Sequence, residues 1–554
     1  MNASRKNLGR LLWRNPIFAW VRIGGMEPHQ GDDLAQKSRL PSPAVAGRGA
    51  VAGLLSAAVA LGVAELVAAL LGGTGSPVLS VGGAFVDATP RWLKEFAIDT
   101  FGTNDKTVLL IGIGATIAIA AALIGILAQR HQRLGVAAVM LLGLVPAIAA
   151  VSRPTGEALD AVPAVIGAVV GAGFLWMFSR QPGTAVSDAA ASDDAVEPGV
   201  SRRSFLVLAG VAAAVAATGA VLGRGLISGR LDVEELRAAL RLPKPADAAP
   251  TVPASVDLGV RGVTPHFTPN ADFYRIDTAL SVPYVDSDAW RLRIFGMVDQ
   301  ERSYSFADLL AMPLVERDIT LTCVSNEVGG ELVGNARWLG VPVRTLLEEA
   351  GLSPDADQVV SRSVEGMTIG TPVQALIDGR DALLAVGMNG EPLPVEHGFP
   401  VRMVVPGLYG YVSACKWIEE MEVTTFDAYD PYWVERGWVD QAPIKLSSRI
   451  DIPRSLSEIS GDVQVGGVAW AQHVGIEQVD VRVDGGDWQS TRLASDGGID
   501  AWRQWTWTLR DATPGNHTLE VRAIDRDGNE QEGDRAEPFP SGSTGWHSVV
   551  VTVS

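Results

Sequence analysis

Long, nearly uninterrupted apolar runs fill most of the first 230 residues, and they constrain the fold more than any other feature. A helix needs about 20 apolar residues to cross the hydrocarbon core of a bilayer. The segments that meet this requirement are residues 51–71, 107–128, 134–151, 158–178 and 204–227. The sequence therefore predicts an α-helical transmembrane bundle, with four helices within residues 51–180 and a fifth helix at 204–227.

Basic residues predict the orientation of this bundle. Eight lysines and arginines precede the first span, and Arg130 and Arg133 follow the second. Such residues collect on the cytoplasmic side of membrane proteins. Residues 1–50 are therefore predicted to be a cytoplasmic segment. Five spans then place the C-terminal half outside, as the extracytoplasmic part of a multi-pass protein of the cell membrane.

The fifth predicted span begins at a pair of arginines, within the run Ser201-Arg202-Arg203-Ser204-Phe205-Leu206. This run resembles a twin-arginine export signal, although two arginines at the cytoplasmic start of a helix would explain it equally. The first interpretation implies that the C-terminal half is exported already folded. Residues 181–203 are predicted to be a cytoplasmic linker, and residues 228–254 a second linker. Within the second, the Pro- and Ala-rich stretch 242–250 is predicted to be a spacer.

Charge and cysteine content exclude several classes of protein. The formal net charge of -18 argues against a nucleic-acid partner, because an acidic surface repels phosphate. The only cysteines, Cys323 and Cys415, lie in separate segments. This spacing excludes a disulfide framework, a CxxCH haem attachment site and an iron–sulfur cluster. A redox metal would therefore have to bring most of its own ligands.

The C-terminal half divides into two predicted units. Residues 255–430 mix short strands and helices, which predicts an α+β domain, and the alternation over 318–322 places Cys323 at the end of a strand. From about Ser447, alternating runs separated by Gly- and Asn-rich turns predict a β-sandwich, assigned to residues 431–554. Trp502, Trp505 and Trp507 are predicted to pack in its core.

Three ordered blocks carry a resemblance to a known family. They are residues 320–326 (TLTCVSN), 336–342 (ARWLGVP) and 388–407 (MNGEPLPVEHGFPVRMVVPG). Together they are similar to the sulfite oxidase family, and the resemblance covers about 255–554. It implies a sulfite oxidase-type molybdopterin domain followed by a C-terminal immunoglobulin-like β-sandwich of the kind that mediates dimerisation.

The resemblance also implies the cofactor and its contacts. The cofactor would be molybdenum–molybdopterin (Mo-MPT), with Cys323 as the catalytic thiolate ligand of the metal. By position in the matching segments, the cofactor-binding residues would be Asn270, Phe273, Tyr274, Arg275, Cys323, His397, Arg402, Ser413 and Lys416. Without the resemblance, Cys323 would be interpreted as a buried small hydrophobic residue. Cys415 is predicted to be a packed cysteine, although the adjacent Lys416 could lower its pKa.

Departures from the family pattern leave the substrate open. The segment after the metal cysteine contributes an arginine in sulfite oxidases, whereas residues 326–330 read NEVGG. A second substrate arginine falls on Val412 or its neighbours, and an active-site tyrosine falls on Val386. A pocket without these groups would bind sulfite poorly.

The sequence thus predicts a membrane-anchored oxidoreductase that catalyses two-electron oxygen-atom transfer on a small substrate. Electrons would pass to or from a separate partner, a cytochrome or the quinone pool, and the protein could form a homodimer. Two alternatives remain open. One is a sulfoxide reductase with the same cofactor, and the other is a non-enzymatic membrane assembly or sensor protein.

Overall fold

A computed structural model describes residues 43–71, 76–90, 105–153, 156–180, 202–227 and 230–554, with isolated positions 93, 96, 100 and 101. Most of the predicted N-terminal segment, most of the predicted linker 181–203 and Ser201 of the arginine motif lie outside these residues. The described part comprises an apolar helical bundle, an α+β unit and a C-terminal unit built from two sheets.

The described N-terminal half is entirely helical. Its helices are α1 (Pro43–Leu70), α2 (Pro77–Ala88), α3 (Asp105–Ala128), α4 (Gln132–Val151), α5 (Val162–Ser179) and α6 (Arg202–Ile227). Four segments are long and apolar enough to cross a membrane, namely Ala44–Leu70, Lys106–Ala128, Gln132–Val151 and Ala158–Ser179. The first begins earlier than the predicted residue 51. The apolar part of α6, Arg203–Gly219, is shorter than these four, so the fifth span stays a prediction.

Small residues allow the helices to pack closely around α1, which contacts α3, α5 and α6. A Cβ atom on Gly53 would collide with the carbonyl oxygen of Ala121 on α3, and one on Gly125 would collide with the carbonyl of Gly49. A Cβ atom on Gly219 of α6 would likewise meet the carbonyl of Gly62. Only glycine permits such backbone contact, which is how helices associate where no hydrophobic effect drives them together.

The α+β unit contains two five-stranded sheets. The first has the order β2-β1-β10-β5-β6, with β1 parallel to β10 and the other pairs antiparallel. The second has the order β3-β4-β7-β8, with β9 paired to β7. The strands are β1 (Arg291–Gly296), β2 (Arg302–Ser305), β3 (Val315–Thr322), β4 (Val333–Pro342), β5 (Gln358–Ser363), β6 (Thr368–Pro372), β7 (Leu383–Met388), β8 (Glu391–Pro392), β9 (Arg402–Val404) and β10 (Ile418–Thr424).

Short helices connect these strands, and two of them have a clear capping residue at one end. Helix α7 (Arg230–Ala239) precedes the first strand. The connecting helices are α8 (Phe306–Ala311), α9 (Val343–Ala350), α10 (Val373–Ile377) and α11 (Gly410–Ser413). Ser305 and Asp308 form a reciprocal capping box at the start of α8. Gly351 ends α9 in the left-handed conformation, with φ of 76°.

The predicted linker 228–254 is wrong in part, because it contains helix α7 and its 242–250 stretch is packed against the α+β unit. The backbone N–H of Ala246 donates to the carbonyl of Leu314 (2.8 Å), and that of Glu316 donates to the carbonyl of Asp247 (2.9 Å). The Asp247 carboxylate also pairs with Arg317 at 2.6 Å. These bonds attach the stretch to strand β3, so it does not act as a free spacer.

The C-terminal unit is a β-sandwich. One sheet has the order β11-β13-β17-β16 and the other β12-β19-β18-β14-β15, and residues of both share one core. The strands are β11 (Ser447–Ile452), β12 (Ser457–Ile459), β13 (Val463–Trp470), β14 (Ile476–Val483), β15 (Gln489–Ser490), β16 (Arg492–Leu493), β17 (Arg503–Leu509), β18 (Gly515–Asp525) and β19 (His547–Val553). Its immunoglobulin-like classification stays a prediction.

Two details of the sandwich bear on the sequence predictions. Trp505 is fully buried in the sandwich core, as predicted, and Trp507 is half-buried at the edge of that core. Trp502 is also fully buried, but it packs in a separate cluster that includes Val333 of strand β4, so the prediction of its place is wrong. The predicted boundary at 430/431 is too early. Ala442 is buried in the core of the α+β unit and Ile444 packs against that core, so the sandwich begins at Ser447.

Candidate active site

Cys323 directly follows strand β3, at the start of a tight turn. Its N–H donates to the carbonyl of Leu332 (2.9 Å), and its carbonyl accepts from the N–H of Asn326 (3.0 Å). The side-chain oxygen of Asn326 then accepts from the N–H of Leu332 at 2.8 Å. The turn therefore holds the thiol in one place at the strand end that the sequence predicts.

The environment of the Cys323 thiol combines burial with two hydrogen-bond donors. Burial raises the pKa of the thiol, and hydrogen bonds from the backbone N–H and the hydroxyl of Ser325 oppose that increase. Donors that point at a sulfur atom stabilise its thiolate form. A metal cation at the sulfur would complete the deprotonation.

Two tyrosines flank the thiol. Tyr274 and Tyr409 are both close enough for a Cys323 thiolate to raise their pKa values, in addition to the larger effect of burial, which brings the pKa of Tyr409 to about 12. The Ser413 hydroxyl lies 3.0 Å from the carbonyl oxygens of Leu408 and Tyr409, to which it donates. Ser413 thus fixes the loop that carries Tyr409. The sequence comparison selected Tyr274 and Ser413 but missed Tyr409, which stands just after the third matching block.

Half-buried Asn270 and buried His397 form a second group. The His397 ring nitrogen Nε2 lies 3.1 Å from the carbonyl oxygen of Asn270, and the amide of Asn389 donates to the Asn270 side chain at 2.8 Å. Phe273 is buried and packs edge-on against His397 and Trp338. Burial, reinforced by nearby Arg402, lowers the pKa of His397 to about 4. His397 is therefore neutral at pH 7.

Arg402 is a buried cation with few partners. Its Nη1 donates to the carbonyl of His397 at 3.2 Å, its guanidinium lies over the Trp338 ring, and its Nε has no hydrogen-bond partner among the described residues. Burial lowers its pKa to about 10. A buried charge without a counter-charge is costly. An anionic ligand at this position would supply both the missing acceptor and the missing charge.

A third group contains three cations around one carboxylate. Asp277 accepts from Arg275 Nε and from Lys416 Nζ, each at 2.8 Å, and also pairs with Lys106 at 2.9 Å. Burial alone would raise the pKa of Asp277, but Lys416, Arg275 and Lys106 hold it well below its usual range. Burial lowers the pKa of Lys416 to about 8, against the opposing effect of Asp277. The positive charge left after pairing suits an anionic group.

The structure thus brings together most of the residues selected from the sequence. Tyr274 lies near the Cys323 thiol. Asn270 contacts His397, which lies beside Arg402. Arg275 and Lys416 both pair with Asp277. Sequence reasoning missed Asp277 and Tyr409, which lie outside the family blocks. It also gave no role to Ser325, although Ser325 lies within the first block. The donor set fits an anionic metal cofactor, with one thiolate, a buried unpaired guanidinium and two further cations.

Three expectations about individual positions can be compared with the structure. Val386 and Val412 are buried in the hydrophobic core, so neither of these positions lines the site. Cys415 is packed, as predicted, with only 1% of its surface exposed. Burial raises its pKa, so the suggestion that Lys416 could activate this thiol is wrong.

A cavity of about 250 Å³ lies between the turn after Cys323 and the β-sandwich. Its lining includes Asn326, Glu327, Lys445, Glu530 and Glu532. Lys445 is the cationic residue that lines this cavity. Its ammonium already donates to the carbonyl of Gly542 (2.5 Å) and lies 3.4 Å from the Ser541 hydroxyl. The glutamates outnumber it, so the cavity carries net negative charge.

Comparisons with known proteins place part of the chain in a known family. The family model for the oxidoreductase molybdopterin binding domain matches residues 279–433. An uncharacterized oxidoreductase of Bacillus subtilis, YuiH, is 35% identical over 158 residues, which cover 28% of this chain and 76% of that protein. Mitochondrial sulfite oxidase of Homo sapiens is 31% identical over 342 residues, which cover 52% of this chain but only 62% of the human protein. The matched part is thus less than two thirds of that relative's length.

Among solved structures, the sulfane dehydrogenase SoxCD of Paracoccus pantotrophus matches with 22% identity and a TM-score of 0.46, covering 54% of this chain and 85% of that one.

The fold and the site define a molybdopterin-binding oxidoreductase, whose cofactor is molybdenum–molybdopterin. Within that class, the chain belongs to the sulfite oxidase family.

Proposed function

We propose that this chain is a membrane-anchored, extracytoplasmic oxidoreductase that transfers an oxygen atom to or from a small substrate in a two-electron reaction. The observation that supports it most directly is the position of the Cys323 thiol, which is buried and held at a strand end beside Ser325, whose backbone N–H and hydroxyl act to lower the pKa of the thiol. A cysteine with only a packing role needs neither donor. A cysteine that binds a metal as thiolate needs both a fixed position and stabilised negative charge.

The residues of the site have distinct roles in this proposal. Arg402, Arg275 and Lys416 bind the anionic parts of the cofactor, and Asn270 and neutral His397 offer hydrogen-bonding groups. Tyr274 and Tyr409 flank the thiol and remain protonated, so they can donate hydrogen bonds next to the metal ligand. When bound, the molybdenum–pterin group supplies the two-electron redox chemistry.

The substrate is proposed to be neutral. The cavity beside the Cys323 turn is lined by Glu327, Glu530 and Glu532 together with Lys445, and the turn itself carries no arginine. Net negative charge repels an anion such as sulfite and tolerates a neutral molecule. This favours the second candidate function, a sulfoxide reductase, in which the same site takes oxygen from a neutral sulfoxide.

Contacts between the bundle and the α+β unit support the extracytoplasmic position of the site. Lys106 at the start of α3 pairs with Asp277, and Asp87 at the end of α2 pairs with Arg436. Both contacts use the loop side that the positive-inside rule assigns to the exterior. Electrons are proposed to pass to or from a cytochrome or the quinone pool at this membrane surface. The sandwich is the proposed surface for a homodimer.

Metal analysis and dye-linked assays test the reaction. Protein purified from membranes in detergent should contain about one molybdenum and one pterin per chain. It should reduce sulfoxides with a reduced dye, or oxidise a neutral substrate with an oxidised dye, faster than it oxidises sulfite. Protein without molybdenum would refute the proposal. Efficient sulfite oxidation would refute the neutral substrate alone.

A separate experiment tests on which side of the membrane the C-terminal half lies. Protease is added to spheroplasts, whose outer layers have been removed while the cell membrane stays intact. The C-terminal half should be cleaved without lysis, and replacement of Arg202 and Arg203 by lysine should leave it uncleaved inside. Protection of the C-terminal half in the unaltered protein would refute the extracytoplasmic assignment.

A further inference from the structure

Lys106, the second residue of α3, makes an unusually complete contact with the α+β unit. Its ammonium donates to the Asp277 carboxylate (2.9 Å), the Asp277 carbonyl (3.0 Å) and the Ala279 carbonyl (2.6 Å). A lysine ammonium has three N–H donors, and here each has an acceptor. A cation in the first turn of a helix is opposed by the helix dipole. The three acceptors offset that penalty, so this contact is specific.

The segment that Lys106 holds has no regular secondary structure. No strand or helix is assigned to residues 273–290, so backbone pairing does not fix their path. Two of the three acceptors are backbone carbonyls, at Asp277 and Ala279. Lys106 therefore fixes the main chain of this segment as well as neutralising a side chain.

The same segment positions two cofactor-binding cations. The Asp277 oxygen Oδ1 accepts from Lys106, while Oδ2 accepts from both Arg275 and Lys416 at 2.8 Å. The Asp277 side chain is only 3% exposed. One buried carboxylate thus joins a residue of the membrane half to the two cations of the cofactor site. If the segment moved, Arg275 and Lys416 would lose their common anchor.

A separate contact docks the same end of the bundle. The Asp87 carboxylate accepts from the Tyr432 hydroxyl (2.9 Å) and from Arg436 (3.2 Å), and both of these lie outside the cofactor groups. This second contact can be altered without touching Asp277. It therefore offers a matched control for docking in general.

We propose that the membrane half completes the cofactor site, with Lys106 as a positioning residue that acts through Asp277 on Arg275 and Lys416. The bundle is then more than an anchor, because the catalytic domain retains its cofactor fully only when docked on it. The inference shares with the proposed function its dependence on the molybdenum cofactor, but not on the substrate or the direction of the reaction.

The test compares full-length protein with Lys106→Met, Lys106→Arg and Asp87→Asn variants in detergent. Molybdenum and pterin per chain are measured at intervals after purification, and hydrogen–deuterium exchange is followed over residues 273–290. Lys106→Met should release cofactor at least about 10-fold faster, the effect of losing an outer partner of a metal site. Lys106→Arg keeps the ion pair and should restore most of the retention. Asp87→Asn should release cofactor at the unaltered rate.

The outcomes separate the possibilities. Faster exchange confined to residues 273–290 in Lys106→Met, with faster cofactor release, supports the inference. Equal release rates in the unaltered and Lys106→Met proteins would overturn it. Equal losses in Lys106→Met and Asp87→Asn would also overturn it, because docking in general would then be responsible. If the unaltered protein contains no molybdenum, the proposed function itself has failed. If Lys106→Met does not accumulate, the inference is tested by two other measurements. These are cofactor retention in Lys106→Arg and hydrogen–deuterium exchange over residues 273–290 in the unaltered protein.

Discussion

The guanidinium carbon of Arg402 lies 5.1 Å from the centre of the Trp338 ring, and this ring is fully buried. The contact is a cation–π interaction in a low-dielectric environment. It stabilises a charge whose Nε has no hydrogen-bond partner in the described structure. We propose that the pair keeps this arginine available for an anionic ligand, at a cost in stability to the ligand-free protein.

Replacing Arg402 with methionine should therefore have opposite effects on stability and on cofactor binding. The ligand-free protein should be unchanged or more stable, because replacing a poorly paired buried charge with an apolar side chain is often neutral or stabilising. Cofactor content should fall sharply. Urea unfolding of cofactor-depleted protein and molybdenum analysis measure the two effects. A clear loss of stability without cofactor would contradict the idea that the charge is unpaired.

Cys323 and Cys415 provide a matched pair of cysteines. Cys323→Ser should lose the protein thiolate from the molybdenum coordination sphere, seen as one fewer Mo–S contact by X-ray absorption. Activity should fall by more than the roughly 10–100-fold typical of losing an outer partner of a metal site. Cys415→Ser should keep the Mo–S count, because its thiol is packed in the core. An unchanged spectrum for Cys323→Ser would exclude it as the ligand.

The low pKa of His397 predicts a specific dependence of stability on pH. The folded-state pKa is about 4, below the usual value near 6.5, so the native residue stays neutral where the unfolded one binds a proton. Stability is therefore complete above pH 6.5 and falls as pH decreases toward 4, by about 3 kcal/mol in total.

Urea midpoints between pH 7 and pH 4 measure this effect, with His397→Gln as the comparison. The variant should lose part of the pH dependence. Part of the remainder should come from His547, whose pKa burial also lowers to about 4, and from His266, whose pKa burial lowers as well. Identical pH profiles for the two proteins would show that His397 does not titrate in this way.

The close contact between α1 and α3 predicts that Gly53→Ile disrupts the bundle. An isoleucine side chain cannot fit against the Ala121 carbonyl, so the two helices must separate. The amount of full-length protein in membranes should fall severalfold. Gly112→Ile, at an exposed position on α3 where a Cβ atom meets no neighbour within 4 Å among the described residues, should accumulate normally. Equal accumulation of both variants would argue against this packing.

The capping box of α8 predicts a local loss of stability in Ser305→Ala. The Ser305 hydroxyl accepts from the Asp308 N–H at 3.2 Å, and removing an N-cap side chain costs about 0.5–2 kcal/mol. Amide exchange should increase within Phe306–Ala311 and remain unchanged in strand β3. Unchanged protection in α8 would mean that tertiary packing alone holds this helix.

Much of the fold follows from local patterns in the sequence. The apolar runs predict the helices α1 and α3 to α5, and alternation predicts the sandwich strands. These features depend on neighbouring residues, because hydrogen bonding and side-chain periodicity within a helix or strand act over a few positions. The position of Cys323 at the end of β3 follows from the same local pattern.

The partners of these elements depend on the tertiary structure. The sequence does not show that the stretch around Asp247 pairs with β3, that Val386 is a core position, or that Tyr409 lies beside the thiol. Each of these contacts joins residues far apart in the chain, so no local spacing encodes it.

The sequence by itself determined most of the classes of element in this protein, because periodicity is a local property. Through a short motif shared with a known family, it also selected Cys323 as the candidate metal ligand. Only the tertiary structure decided that Asp277 gathers Arg275, Lys416 and Lys106 around one carboxylate. Lys106 and Asp277 are separated by 171 positions. Electrostatic attraction depends on distance in space, and folding alone sets that distance.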